Sequence, residues 1–193
     1  MSIEELWGVV NKQQKEIDYL KKWVRGHQKK INVIAWLNSN RSVMHTFQQW
    51  QSSIEIGQKQ LENIFDRGFI EGIYYIILES LPIEKEHLFP IICFEQKPHT
   101  FYIFESEWKI LPHDDFDQMI QSIHFRIIQE FKKWQDLHID DIMCNEHTNN
   151  IYQKNIKKVM GPSLKESGRK LRSKLFMYLK LNLKNIIVYD FSF

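Results

Sequence analysis

The chain has 193 residues, of which 26 are basic and 24 acidic, and its formal net charge is +2. Hydrophobic residues make up 43% and aromatic residues 13% of it, which excludes a globally disordered chain. No apolar run reaches about 18 residues, so we expect no membrane span, and the acidic start at Glu4 and Glu5 predicts no secretory signal. Cys93 and Cys144 lack metal-type spacing, so we expect two buried thiols in the cytoplasm or nucleus.

The N-terminal segment 3–34 has the most regular pattern in the chain. Apolar residues alternate between spacings of three and four over more than four heptads. The first heptad position is always Ile or Val, and the fourth is Leu or Ile except at Gln13 and His27. This combination favours a parallel two-stranded coiled coil. The residues expected to mediate self-association are Leu6, Val10, Ile17, Leu20 and Val24.

A second interpretation of this segment stays open. Gly8 and Gly26 each cost about 1 kcal/mol inside a helix. Trp7, Val9 and Trp23 widen the apolar stripe beyond the narrow seam of a coiled coil, and the fifth and seventh heptad positions show no clean charge complementarity. These features are also compatible with a long amphipathic helix that packs on its own domain.

The rest of the chain predicts an α+β fold that is mainly helical. Up to residue 81, we expect short helices over 33–37, 46–50, 58–66 and 69–81, with Gly68 at a helix end. We therefore predict a helical region over 1–81, which contains the heptad-patterned helix 3–34, and an α+β region over 82–193.

The α+β region begins with β-type sequence. Three short strands over 91–94, 101–104 and 108–111 predict an antiparallel meander, which a C-terminal strand over 186–193 would join. His113, Asp114 and Asp115 are expected to cap a helix that runs to about residue 137. A polar connector over 138–150 and helices over 151–160 and 164–180 follow, with Gly161 and Pro162 between the two helices.

The sequence contains no known catalytic motif, so we expect a protein that is not an enzyme and has no cofactor. The densest group of ligand-type side chains lies in the connector over 138–150. A metal site there is the weaker alternative to a solvated loop, because no second cluster supports it. The residues of this group are His138, Asp140, Asp141, Cys144, Glu146 and His147.

Positive charge is concentrated near the C-terminus. Residues 154–184 contain ten basic residues and one acidic residue, Glu166, and the aromatic residues Phe176 and Tyr178 lie among them. Such a segment is either a solvated helix face or a surface that contacts a phosphate backbone. The residues expected to bind nucleic acid are Lys165, Arg169, Lys170, Arg172 and Lys174.

Several segments resemble uncharacterised proteins of large nucleocytoplasmic DNA viruses. They are INVIAWLN (31–38), FEQKP (94–98) with FYIF (101–104), IQEFKKW (128–134) and LKLNLKNIIVYDF (179–191). In some of these relatives a similar region follows a DNA-binding module of the KilA-N type, which this sequence does not contain. The resemblance implies a viral accessory or assembly protein in the host cytoplasm, the viral factory or the virion.

The leading hypothesis is therefore a viral, non-enzymatic interaction or assembly protein. It would self-associate through the N-terminal helix and contact a viral or host protein, with no membrane partner. The alternative is a nucleic-acid-binding protein that uses the basic C-terminal helix.

Overall fold

A computed structural model describes residues 3–27, 32–82 and 89–183. The chain divides into two compact units, Met1–Trp36 and Leu37–Phe193. The described helices are α1 (Ile3–His27), α2 (Val33–Asn40), α3 (Phe47–Ser53), α4 (Gln58–Arg67), α5 (Phe69–Ser80), α6 (His113–Leu137), α7 (Ile139–Cys144), α8 (Glu146–Met160) and α9 (Leu164–Leu179). The described strands are β1 (Ile91–Phe94), β2 (Lys97–Phe104), β3 (Trp108–Ile110) and β4 (Lys180–Leu181).

The first unit is dominated by α1. Its first turn contains Glu4 and Glu5, whose charges suit the positive end of the helix dipole. The predicted helix over 3–34 is interrupted, because Asn32 is not helical and its Oδ1 accepts the N–H of Ala35 at 3.3 Å. Asn favours this N-cap position, so Ile34 belongs to α2. Residues 28–31 lie outside the described part of the chain.

The second unit contains a four-stranded sheet with the strand order β3-β2-β1-β4. β1 and β2 form an antiparallel hairpin, in which Ile91 pairs with Ile103 and Cys93 with Phe101. β3 pairs antiparallel with β2. All four residues of β1 are buried, which is the pattern of a strand covered on both faces. The predicted meander is therefore confirmed.

The fourth strand corrects the expectation of a purely antiparallel sheet. Lys180 and Leu181 pair with Cys93 and Phe94 in parallel, so the sheet is mixed. A parallel pair requires a long connection, and β2, β3 and the helices from α6 to α9 lie between β1 and β4. The strand predicted over 186–193 lies outside the described residues.

The helices of the second unit pack around one apolar interior. α6 has buried residues at helical spacing, as the sequence predicts: Phe116, Met119, Ile120, Ile123, Ile127 and Phe131. α4 packs tightly on α5 at Gly72, where a Cβ would collide with Ile64. α5 packs against α9, so the boundary predicted after residue 81 runs between two helices that are in contact.

The start of α6 differs from the capping prediction. The helix begins at His113, directly after Pro112, and no side chain caps its first turn. Asp114 and Asp115 lie inside that turn. There they act on the helix dipole rather than as N-caps.

The segment over 138–150, expected as a polar connector, is largely helical. α7 is held by the buried side chain of Ile142. Asn145 then caps α8, because its side chain accepts the backbone N–H groups of His147 and Thr148. A single apolar residue and one good N-cap were too weak a signal for these helices.

The expectation of two buried thiols is confirmed for one cysteine only. Cys93 is buried on β1 and its Sγ donates to the carbonyl oxygen of Phe176 at 3.6 Å. Burial raises the pKa of this thiol to about 12. Cys144, at the end of α7, is exposed, so that part of the expectation is wrong.

Candidate functional site

The apolar face of α1 is the first candidate site. Four of the residues predicted to mediate self-association are between 44 and 57% exposed, and they are Leu6, Val10, Ile17 and Leu20. The fifth, Val24, has a helical backbone, but its side chain lies outside the described part of the structure. Further exposed apolar side chains on α1 are Ile3, Trp7, Val9 and Tyr19. Exposed apolar side chains at heptad spacing along one helix form a surface suited to a second helix.

Polar residues border this face. Lys12, Lys15 and Glu16 lie with Tyr19 and Leu20 around a shallow, open depression of about 400 Å³. On the other side, the Gln14 amide donates to the Asp18 carboxylate at 3.1 Å, one helical turn away. The face therefore has a charged rim, as interaction surfaces of helices commonly do.

The basic residues of α9 form the second candidate site, but the structure separates the five predicted residues into groups. Lys165 and Arg169 are exposed, and among the described residues neither has a hydrogen bond or an ion pair. Lys170 is exposed and pairs with Glu166, with 2.6 Å between Nζ and Oε1. The hydrogen bond from Lys170 lowers the pKa of Glu166.

Arg172 belongs to the packing of the second unit. Its Nη2 donates to the Asp117 carboxylate at 3.2 Å and to the His113 carbonyl oxygen at 3.1 Å. The guanidinium also lies 4.8 Å from the centre of the Phe116 ring. Its side chain is only 14% exposed. Arg172 therefore joins α9 to α6 and is poorly placed to contact a ligand.

Lys174 points toward α5 instead. Its Nζ lies 2.8 Å from a carboxylate oxygen of Glu71 and 5.0 Å from the centre of the Tyr74 ring. The hydrogen bond to Glu71 raises the pKa of Lys174.

An open pocket lies between α5 and α9 and brings part of the basic set together. Its volume is about 560 Å³. Three of the five predicted residues, Arg169, Lys170 and Lys174, line it, together with Ile70, Glu71 and Ser173. Lys165 and Arg172 do not line it, and Phe176 is buried, with its ring 5.4 Å from that of His99.

The sequence pointed to Tyr178 among the basic residues, but two further tyrosines near this pocket, Tyr74 and Tyr75, were missed. Tyr74 and Tyr75 follow each other on α5, and their ring centres are 5.6 Å apart. Tyr75 is 36% exposed. The guanidinium of Arg67, a residue at the end of α4, lies over the Tyr75 ring at 4.4 Å from its centre. Tyr178 on α9 is 43% exposed.

Tyr74 connects these groups electrostatically. Burial raises the pKa of Tyr74, and the positive charge of Lys174 opposes that rise. The neighbouring hydroxyl groups of Tyr178 and Tyr75 act in the same direction as burial and raise the pKa of Tyr74.

The spacing of Glu71, Tyr75 and Glu79, four residues apart, is the signal that could have identified the solvent-facing edge of α5.

The ligand-type residues over 138–147 do not converge. Among residues 3–27, 32–82 and 89–183, no three His, Cys, Asp or Glu side chains are placed to hold one metal ion. His138 instead closes the end of α6, with its Nδ1–H donating to the Trp134 carbonyl oxygen at 2.8 Å. The two rings are stacked, with centres 4.6 Å apart.

Comparison with protein-family models, with curated proteins and with solved structures found no match to this chain. The resemblance to proteins of large DNA viruses therefore stays a prediction. In the described part of the chain, no helix is both long and apolar enough to span a bilayer.

Proposed function

We propose that this chain is a non-enzymatic interaction or assembly protein that self-associates through α1. One observation carries the proposal: on α1, a helix of 25 residues, the heptad side chains that the structure describes, from Ile3 to Leu20, are exposed. A helix of that length is about 37 Å long. Exposed apolar side chains over such a length favour association with another surface.

The partner we propose is a second copy of α1, aligned in parallel. The β-branched residues Ile3, Val10 and Ile17 occupy the first heptad position, and Leu6 and Leu20 the fourth. This distribution favours two parallel strands. Gln13, at a fourth position, would help to fix the register at some cost in stability.

One charge pair supports the parallel alignment. Glu16 occupies the seventh heptad position and Lys21 the fifth position of the next heptad, and both are exposed. In a parallel pair these two positions meet across the interface, so Glu16 of one copy would face Lys21 of the other.

The mass of the full chain in solution tests the proposal. We expect light scattering to give at least twice the 23.4 kDa of one chain. Replacing Ile17 and Leu20 by Asp should reduce the mass to that of a monomer, because each charge would be desolvated at the interface. The matched control replaces Asn11 and Lys15 by Asp at outer heptad positions, and it should leave the mass unchanged.

Two outcomes would contradict self-association through α1. A wild-type chain that stays monomeric at high protein concentration would favour the packing of α1 within its own chain. An oligomer whose mass is unchanged by the Ile17→Asp and Leu20→Asp substitutions would place the interface elsewhere.

We also propose that the protein is viral, and this part of the proposal rests on the resemblance of segments alone. It implies an assembly role in the host cytoplasm or viral factory, with a viral or host protein as partner. The non-enzymatic part rests on the sequence, in which no known catalytic motif was found.

A second function, nucleic-acid binding, is favoured by a separate observation. Arg169, Lys170 and Lys174 line one open pocket, and Lys165 adds an exposed charge on the same helix. Phosphate contacts by such residues give an affinity that falls steeply as salt is added.

A further inference from the structure

We propose that the surface between α5 and α9 binds single-stranded nucleic acid. In this arrangement the basic pocket would hold phosphates, and Tyr75 and Tyr178 would stack on unpaired bases. The inference rests on the second proposed function and is independent of self-association through α1. We refer to this surface as the α5–α9 surface, which consists of Arg67, Glu71, Tyr74, Tyr75, Arg169, Lys170, Ser173, Lys174 and Tyr178.

The phosphate-binding half of the surface is the open pocket. Lys170 and Lys174 lie one turn apart on α9, a rise of about 6 Å along the helix. Arg169 and the hydroxyl-bearing Ser173 follow the same spacing on the adjacent row, and all four residues line the pocket. Two parallel rows of donors along one helix suit an extended chain of phosphates better than a single small anion.

The acidic residues of this surface do not cancel its positive charge. Glu71 is paired with Lys174. Glu166, which lies one turn before Lys170 on α9 and outside the defined surface, is paired with Lys170. Among the described residues neither Arg169 nor Arg67 forms an ion pair, although the charge of Arg169 acts on Glu166. Arg67 lies over the ring of Tyr75. The two arginines therefore supply a surplus of positive charge on this surface.

The exposed tyrosines of this surface favour single-stranded over double-stranded nucleic acid as the ligand. Tyr178 continues the row of Lys170 and Lys174 by one more turn of α9. Tyr75 stays partly exposed although Arg67 lies over its ring. Aromatic rings beside a basic groove stack on successive bases whatever the sequence, whereas bases inside a duplex are already stacked on one another.

The test uses the full chain and fluorescence anisotropy, with a labelled mixed-sequence single strand and the matching duplex as probes. We expect the single strand to bind more tightly than the duplex. With about three phosphate contacts, the log–log slope of the single-strand affinity against salt should be about 2.

Two sets of variants separate the tyrosines from the charges. The Tyr75→Leu, Tyr178→Leu double variant should weaken single-strand binding by about tenfold or more and leave duplex binding unchanged. Phe125→Leu, which changes an exposed aromatic residue on α6, is the matched control and should have no effect. Arg169→Ala, at an exposed position, should weaken binding to both probes and reduce the salt slope by about 0.7 for the single strand. Thermal melting should show that each variant keeps the wild-type fold.

The outcomes distinguish this inference from the function on which it rests. Equal binding of both probes, unaffected by loss of the tyrosines but weakened by Arg169→Ala, would overturn the single-strand inference and keep nucleic-acid binding. Failure of both probes to bind even at low salt would overturn both.

Discussion

The two units of this chain contain similar apolar residues but use them differently. In the second unit, Ile73, Ile120 and Leu171 are completely buried on α5, α6 and α9. On α1, Ile3 is 79% and Val10 54% exposed, although both lie on an equally regular helical stripe. Periodicity therefore identifies an apolar face in both units, but only tertiary contacts determine what covers that face.

The glycines show the same contrast. In the second unit, a Cβ on Gly72 would collide with the side chain and approach the backbone of Ile64, so close packing requires glycine there. A Cβ on Gly168 would displace the carboxylate of Asp117. Gly8 on α1 has open space around it. There glycine only lowers helix stability, by about 1 kcal/mol. A helix with such a cost gains most from association.

The largest expected effect is on stability, and it is tested by replacing one tryptophan by alanine in each unit. Trp108 on β3 is 1% exposed, its Nε1–H donates to the Arg41 carbonyl oxygen at 3.3 Å, and its backbone N–H donates to Asn38. Trp108→Ala should lower the free energy of unfolding of the second unit by about 3–5 kcal/mol in urea. Trp7, on α1, is 64% exposed, and Trp7→Ala should change that free energy by no more than about 0.5 kcal/mol.

Equal losses in the free energy of unfolding from the two tryptophan substitutions would contradict the difference between the two units. They would mean that the side chain of Trp7 is needed by the second unit, and that α1 is not an independent surface.

A smaller effect is expected on the pH dependence of the stability of the second unit, through His124. His124 on α6 is partly buried against Phe69, with ring centres 4.7 Å apart, and its Nε2–H donates to the Val159 carbonyl oxygen at 3.0 Å. Burial lowers the pKa of His124, and the hydrogen bond offsets only part of this effect. The folded state therefore disfavours protonation that the unfolded chain accepts near pH 6.5.

The stability due to neutral His124 should be complete above about pH 6.5 and should fall as the pH drops toward the lower pKa of the folded state. We expect His124→Gln, which keeps an N–H donor but does not titrate, to lose less stability than the wild type between about pH 7.5 and about pH 5.5. His147→Gln changes an exposed histidine and is the control. If urea unfolding gave all three proteins the same pH dependence, His124 would have no such role.

Much of the fold could be predicted from local sequence. The stripe on α6 and the hairpin of β1 and β2 follow from periodicities of 3.6 and 2 within single segments. β4 could not be predicted, because a strand of two residues has no pattern of its own. Its pairing depends on Cys93 and Phe94, more than 80 positions earlier in the chain.

The candidate sites were only partly predictable for the same reason. The sequence identified a basic α9, but Arg172 and Lys174 find their acidic partners, Asp117 and Glu71, on α6 and α5. Charge along one segment cannot show which cations are already paired. The tyrosines of the α5–α9 surface come from helices about 100 residues apart, so only the fold brings them together.

The most direct test of the central claim is cross-linking of one copy of α1 to another. In a Cys144→Ser background, which removes the exposed thiol, Ile17→Cys places a cysteine at the first heptad position and Lys15→Cys places one on the outer face. In a parallel pair, Ile17 faces its own counterpart, so mild oxidation should give a covalent dimer with Ile17→Cys and little with Lys15→Cys. Equal cross-linking of the two variants, or no cross-linking of either, would contradict parallel self-association through α1.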